Sequence, residues 1–259
     1  MAAGGLTVPS HRRKFRVAYV ILALVLVGAG VTLGYLLQPQ PAAAPQAAWS
    51  SWQPSIPGDA GVLDIADHVG SQYRLPDGQQ LSRIKAGYPG ATGTVDPSAP
   101  DDIRIPVTSI ALASTNGSGQ TSYTLLPGYP SMIEYQLCGD GAKCQIVAGN
   151  GGQSPATAAA LRREVLELSL YTFHYVPDIS EVLAVLPPAG KAGQSHAILV
   201  QDAGPIQELL SQPLAQTLPP GPTAPDTQKL IDAFTAPSFD YSYQQQFDGT
   251  YQMVLSLPK

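Results

Sequence analysis

His68, His174 and His196 are the histidines beyond the first 37 residues, and so the natural candidates for a general base near neutral pH. His68 follows Asp67 in an amphipathic stretch, and His196 opens an apolar run. Neither belongs to a His-Glu-x-x-His or comparable ligand spacing, so zinc has no support in the sequence. His174 shares a helical stripe with Arg163 and Glu167, with Leu170 between them, and the pattern reads as a solvated or locally paired stripe and not as a catalytic base. Ser82-Arg83-Ile84-Lys85 has the Ser-x-x-Lys spacing in which a lysine activates a serine nucleophile. That chemistry needs the serine at a helix start and the lysine one turn on, with Ser-Asp-Asn and Lys-Thr-Gly companions. Here the segment reads as a strand, which turns the two side chains to opposite faces, and both companions are missing. No Gly-x-Ser-x-Gly elbow or phosphate-cradling loop is present, and Gly139-Asp140-Gly141 lacks the further acidic ligands of a calcium loop. The sequence thus predicts no catalytic, cofactor-binding or metal-ligating residue. A cell-wall-modifying or proteolytic hydrolase, its site assembled from distant residues, is the competing reading.

Cys138 and Cys144 are the two cysteines, and both lie beyond the apolar segment described next. An even count in an oxidising compartment predicts one disulfide. The pair flanks Gly139–Lys143 between two strand-like runs, so Ser131 to Ala148 reads as a hairpin with Tyr135 opposite Val147 and with Glu134 and Gln136 on the polar face.

These residues sit in a chain with a divided charge. Val17 to Leu37 holds no charged residue, and as a helix its 21 residues would span roughly 32 Å, enough for the hydrocarbon core. Arg12, Arg13, Lys14 and Arg16 precede it with no acid in the first 37 residues, which predicts a cytoplasmic N-terminus and an exterior remainder. The run is longer than the apolar region of a signal peptide, and Pro45 is a poor residue after the Ala42-Ala43-Ala44 site, so a retained anchor is expected. Gly30 and Gly34 fit a small-xxx-small packing pattern. Beyond Leu37, ten basic residues face 19 acidic ones, a net of −9. Phosphate contacts need clustered Lys and Arg, so nucleic acid is excluded as the main partner.

The expected plan is a basic cytoplasmic tail over 1–16, a transmembrane helix over 17–37, a Pro/Ala-rich spacer over 38–57 and an exterior domain over 58–259. The fold class is α+β, antiparallel hairpins packed on a central helix. Asp59 to Arg74 reads as an amphipathic helix, with Val62, Ile65, Ala66, Val69 and Tyr73 on one stripe. Strands are expected over Gln80–Ala86, Ile103–Ala113, Thr121–Leu126, Ile179–Leu186 and His196–Gln201. Ser154-Pro155 is an N-cap followed by proline at the first helical position, and it opens the central helix, expected to reach His174. A Pro-rich connection over 213–225 precedes a C-terminal helix and hairpin over 226–259. In that hairpin a three-residue Phe247-Asp248-Gly249 turn pairs Tyr243 with Met253 and Tyr241 with Leu255, whereas a two-residue turn would scatter the faces.

Two aromatic groups are candidates for an interaction surface. Phe239, Tyr241 and Tyr243 form a stripe that either binds a partner or packs on the central helix. Trp49 and Trp52 in the spacer either sit at the membrane interface or dock on the domain. The functional expectation is a single-pass bacterial envelope protein, without cofactor, whose exterior domain binds an envelope partner or itself.

Overall fold

The computed structural model describes residues 48–89, 94–95, 104–105, 107–128, 130–140, 144–146, 154–188 and 196–258. The transmembrane helix expected over 17–37 and most of the 38–57 spacer lie outside these residues. No helix among the described residues is long and apolar enough to cross a membrane.

The architecture is mixed α+β around one eight-stranded sheet. The strands are β1 (Arg83–Gly87), β4 (Val107–Thr115), β5 (Thr121–Leu125), β6 (Met132–Cys138), β7 (Glu181–Val185), β8 (His196–Gln201), β9 (Ser238–Gln245) and β10 (Tyr251–Ser256). Their order across the sheet is β1-β6-β7-β8-β9-β10-β4-β5. The short strands β2 (Thr94–Val95) and β3 (Arg104–Ile105) pair separately. The expected antiparallel hairpins are present as β4–β5, β7–β8 and β9–β10, but β6 with β7 and β10 with β4 are parallel pairs. A parallel pair needs a crossover, and helix α2 (Pro155–Tyr175) makes it between β6 and β7.

Ser154 caps α2 by accepting the Thr157 N–H at 3.1 Å, and Pro155 occupies the first turn, where its missing N–H costs nothing. The helix ends at Tyr175, two residues before Pro177, since the residue preceding a proline is driven toward extended backbone. Leu161, Val165, Leu166, Leu168 and Leu170 are all buried. Val62, Ile65, Ala66 and Val69 give α1 (Gly61–Gln72) its buried stripe. Helices α3 (Gly204–Leu210), α4 (Leu214–Thr217) and α5 (Pro225–Thr235) follow.

The period of two along each strand divides the apolar side chains between two clusters on opposite faces of the sheet. Ile133, Tyr135, Leu137, Val182, Ala184, Ile198 and Val200 join the helices in the larger cluster. Met132, Leu183, Val185, Ala197, Phe239, Met253 and Leu255 form the second, with Val107 and Ile110. The Tyr135 hydroxyl and the Thr172 hydroxyl, 2.7 Å apart, tie the middle of the sheet to the crossover helix.

The C-terminal hairpin has the expected register, with Met253 opposite Tyr243 and Leu255 opposite Tyr241. Gln246 N–H reaches Thr250 O at 2.8 Å, and Gly249 closes the three-residue turn at φ 82°. The hairpin expected over Ser131 to Ala148 does not form. β6 already has β1 on one side and β7 on the other, so no edge is open to Cys144–Ile146. Glu134 and Gln136 lie on the face opposite Ile133, Tyr135 and Leu137, as expected, and both are buried. The 213–225 connection is not a free linker, because α4 forms within it and Leu214 and Leu218 enter the larger core. Nor does the spacer run free to residue 57, because Trp49 and Trp52 pack against that core.

Candidate functional site

The cysteines are joined as expected: Cys138 and Cys144 form a disulfide with Cα atoms 4.4 Å apart. Gly139 N–H donates to Cys144 O at 2.9 Å, which makes the loop a tight cap on the end of β6. A side chain at Gly139 would collide with the Gln145 carbonyl and lie 2.6 Å from Ile146 N. Asp140 pairs with Arg83 on β1 at 3.1 Å, an exposed contact across the sheet end.

Phe239, Tyr241 and Tyr243 lie on the face turned away from the central helix, in the second cluster with Met253 and Leu255. Phe239 is buried and the two tyrosines are half-buried with their rings edge to face, 5.6 Å apart. The packing on α2 weighed for this stripe is therefore not what is found. Trp49 and Trp52 are on the helical side, so the fold does not bring the two aromatic groups together.

The tryptophans dock through two histidines. Trp52 stacks on His68 of α1, with ring centroids 3.9 Å apart and planes 2° from parallel. Trp49 stacks on His174 of α2 at 4.1 Å and 12°. Tyr171 stands between them, edge-on to both indoles at 5.4 Å, and its hydroxyl lies 2.7 Å from Ser50 Oγ. Tyr175 OH donates to Trp52 O at 3.2 Å, and Leu214 N–H donates to Trp49 O at 2.7 Å. Burial lowers the pKa of both histidines, favouring the neutral imidazole. His68 Nε2 lies 2.9 Å from Gln72 Nε2, an amide donor that suits an unprotonated ring nitrogen. In the stripe of Arg163, Glu167 and His174, His174 is exposed and stacks on Trp49, Glu167 is buried near the Arg163 charge, and Arg163 donates to Thr223 Oγ1 and Pro219 O.

Beneath this strap lies a pair of buried acids that local pattern did not reveal. Glu164 has no exposed surface, and one of its oxygens accepts from Ser82 Oγ at 3.0 Å while the other has no hydrogen-bond partner. Burial first, and Glu167 nearby, raise its pKa well above the ordinary carboxyl range, which favours the neutral acid. Glu167 accepts the Tyr73 hydroxyl, and burial raises its pKa as well.

Among the described residues no serine hydroxyl is hydrogen-bonded to a histidine ring. Ser82 is 1% exposed and bonds to Glu164, while Lys85 stands exposed on β1. His196 Nδ1 lies 2.9 Å from an Asp240 oxygen, yet the contact is not aligned as a hydrogen bond. A catalytic histidine is held in its tautomer by that directed bond, and among the described residues no serine hydroxyl bonds to His196. No group of three His, Cys, Asp or Glu side chains among the described residues is arranged to hold a metal ion.

What the sheet does present is an open edge. Among the described residues β5 is the last strand and pairs with β4 alone, and every one of its residues is exposed, Tyr123 by 55% and Leu125 by 66%. From Ile105 to Ile133 the chain has no Asp, Glu, Lys, Arg or His. The other edge, β1, carries Arg83 and Lys85, the kind of charge that discourages edge-to-edge pairing. The neutrality of β5 was visible in the sequence, but its edge position depends on a strand order that local pattern does not encode. No protein-family model, no characterised protein and no solved structure matches this chain.

Proposed function

We propose that this chain is a single-pass bacterial envelope protein, anchored through residues 17–37 with its N-terminus in the cytoplasm. Its exterior domain works by assembling with envelope components and not by catalysis. The observation that carries this reading is β5: a fully exposed, uncharged, β-prone strand at an unprotected sheet edge. Such an edge offers main-chain donors and acceptors to an incoming extended segment, which is how β-augmentation gains affinity. The reading also draws on the charge asymmetry around the apolar segment, whose positive residues are confined to one side.

The test is in-cell crosslinking of tagged full-length protein, followed by mass spectrometry, beside a Tyr123→Lys variant. A recurrent membrane or envelope protein, a second copy of this chain included, is expected for the native protein and lost in the variant. Crosslinks that are the same in both would remove the role of β5. No crosslinked species at all would defeat the assembly reading.

A further inference from the structure

We infer that β5 pairs with β5 of a second copy, antiparallel and about a two-fold axis through Tyr123. This rests on the assembly reading above and names its partner. The alternation of an antiparallel ladder fixes which backbone groups of β5 face outward. Asn116 N–H donates to Gln120 O at 3.0 Å and Leu126 N–H to Ile110 O at 2.9 Å, so these pairs are the hydrogen-bonded ones. Counting along the register from either end, Ser122 and Thr124 also turn their amides toward β4. Thr121, Tyr123 and Leu125 therefore turn theirs outward, an N–H and a C=O from each of three residues, six groups in all.

An axis through Tyr123 sets Tyr123 opposite Tyr123 and Thr121 opposite Leu125 of the second copy. Each of these is then a hydrogen-bonded pair, and all six outward groups find partners at once. A register shift of one residue would leave outward amides facing inward-turned ones, and moving the axis to Ser122 or Thr124 would set Leu125 opposite Gly119 or Thr121 opposite Pro127, with fewer of the six groups paired. The same register places both copies' Tyr123 and Leu125 on one face of the joined sheet and Ser122 opposite Thr124 on the other. Charge permits the approach. The exterior part of the chain is acidic and would repel a copy of itself, but Ile105 to Ile133 contributes nothing to that field. A partner chosen by electrostatics would call for charge on this strand, and there is none.

The test uses full-length protein in detergent. Ser122→Cys and Thr124→Cys are made in separately tagged copies, because these positions face each other as a non-hydrogen-bonded pair, where side chains come closest. The native cysteines are already joined to each other. Under mild oxidation a covalent heterodimer is expected when the two variants are mixed, with neither alone giving a comparable dimer. A second measurement takes the protein mass by light scattering for Tyr123→Lys and Tyr123→Pro. Since the Tyr123 N–H does not bond to β4, proline leaves the native ladder intact, and both variants are expected to lose the dimer. Dimers that survive both substitutions, as association through the Gly30 and Gly34 face would, overturn the proposal. So does a mixture that fails to crosslink. If the mixture fails while Tyr123→Lys still abolishes the in-cell crosslinks to another envelope protein, the self-pairing is wrong and the assembly reading stands. If Tyr123→Lys changes nothing in cells either, the self-pairing and the role of β5 in assembly both fall.

Discussion

Trp52 and His68 lie face to face, 3.9 Å between centroids and 2° between planes, and Trp49 and His174 repeat the arrangement one helix away. These four rings strap the segment leading to the proposed anchor onto α1 and α2. The strap uses both tryptophans of the chain, so intrinsic tryptophan fluorescence reports on it alone.

Its response to acid follows from the histidines. Burial holds both below their ordinary value of 6.5 while the strap is docked. A base with a lowered pKa in the docked state stabilises docking fully above its free value, and that contribution is lost as pH falls through the docked value. A protonated imidazole gains attraction from an indole face, but Gln72 offers the His68 ring a donor and not an acceptor. Acidification from about pH 7.5 to about pH 5 is therefore expected to loosen the strap. Full-length protein in detergent should show a reversible red shift of tryptophan emission over that range, and His68→Phe with His174→Phe should abolish the shift. Emission that stays constant in the native protein would mean that protonation does not control docking.

The buried acids predict the opposite sign. Glu164 and Glu167 have pKa values raised by burial, so their contribution is fully present below the unfolded carboxyl range and is lost as pH rises through the folded values. Glu164→Gln keeps a partner for Ser82 and removes the ionisable group. It is expected to flatten the pH dependence of urea unfolding between about pH 5 and about pH 8, followed by near-ultraviolet circular dichroism of the tyrosines. Ser82→Ala leaves the whole Glu164 carboxyl without a hydrogen bond and should cost about 1–3 kcal/mol. An unchanged pH slope in Glu164→Gln would show that Glu164 is ionised in the folded protein.

What could be read ahead of the fold was what neighbouring residues decide. Gly249, Tyr243 and Met253 lie within one hairpin, and alternation alone fixed their register. Ser154-Pro155 carries its own start signal for α2. The pairing of Cys138 with Cys144 followed from count and compartment. By contrast, the hairpin drawn through the cysteines failed because β1 and β7, distant in sequence, compete for β6 and win both edges. The burial of Glu134, Gln136 and Glu164 has the same origin, since a polar residue in an alternating pattern looks solvated until a second layer covers it. Trp49 and Trp52 were legible as an unusual pair, but nothing near them announces His68 and His174.

The Cys138–Cys144 loop and Gly139 should be energetically coupled. By the loop-entropy estimate, so short a ring contributes about 2 kcal/mol, and for a domain of this size Cys138→Ser with Cys144→Ser should lower the Tm by about 4–8 °C. Gly139→Ala forces a methyl group against the Gln145 backbone and should cost about 1–3 kcal/mol while the ring is closed. In the serine background the loop can relax, so the same substitution should cost less. A double-mutant cycle of thermal unfolding measures the difference, and additive costs would mean that the ring does not hold Gln145 against Gly139.

The strap also protects the chain between the proposed anchor and the domain. Trp49 and Trp52 hold their segment by ring stacking, by the Ser50–Tyr171 contact and by backbone bonds from Leu214 and Tyr175. A docked segment resists a protease in proportion to the free energy of opening it. Trp49→Ala with Trp52→Ala removes both stacks and leaves the sheet and its two cores in place, so the domain should stay folded while this segment opens. Limited proteolysis of the full-length variant in detergent is expected to release an intact exterior domain at least about tenfold faster than from the native protein, since one lost stack is worth about 1 kcal/mol or more. Tyr171→Phe keeps the central ring and removes only the hydroxyl contacts to Ser50 and His68, and should fall between the two. If release is no faster in the double variant, the backbone bonds alone hold the segment, and the paired rings are packing without consequence for how the domain is tethered.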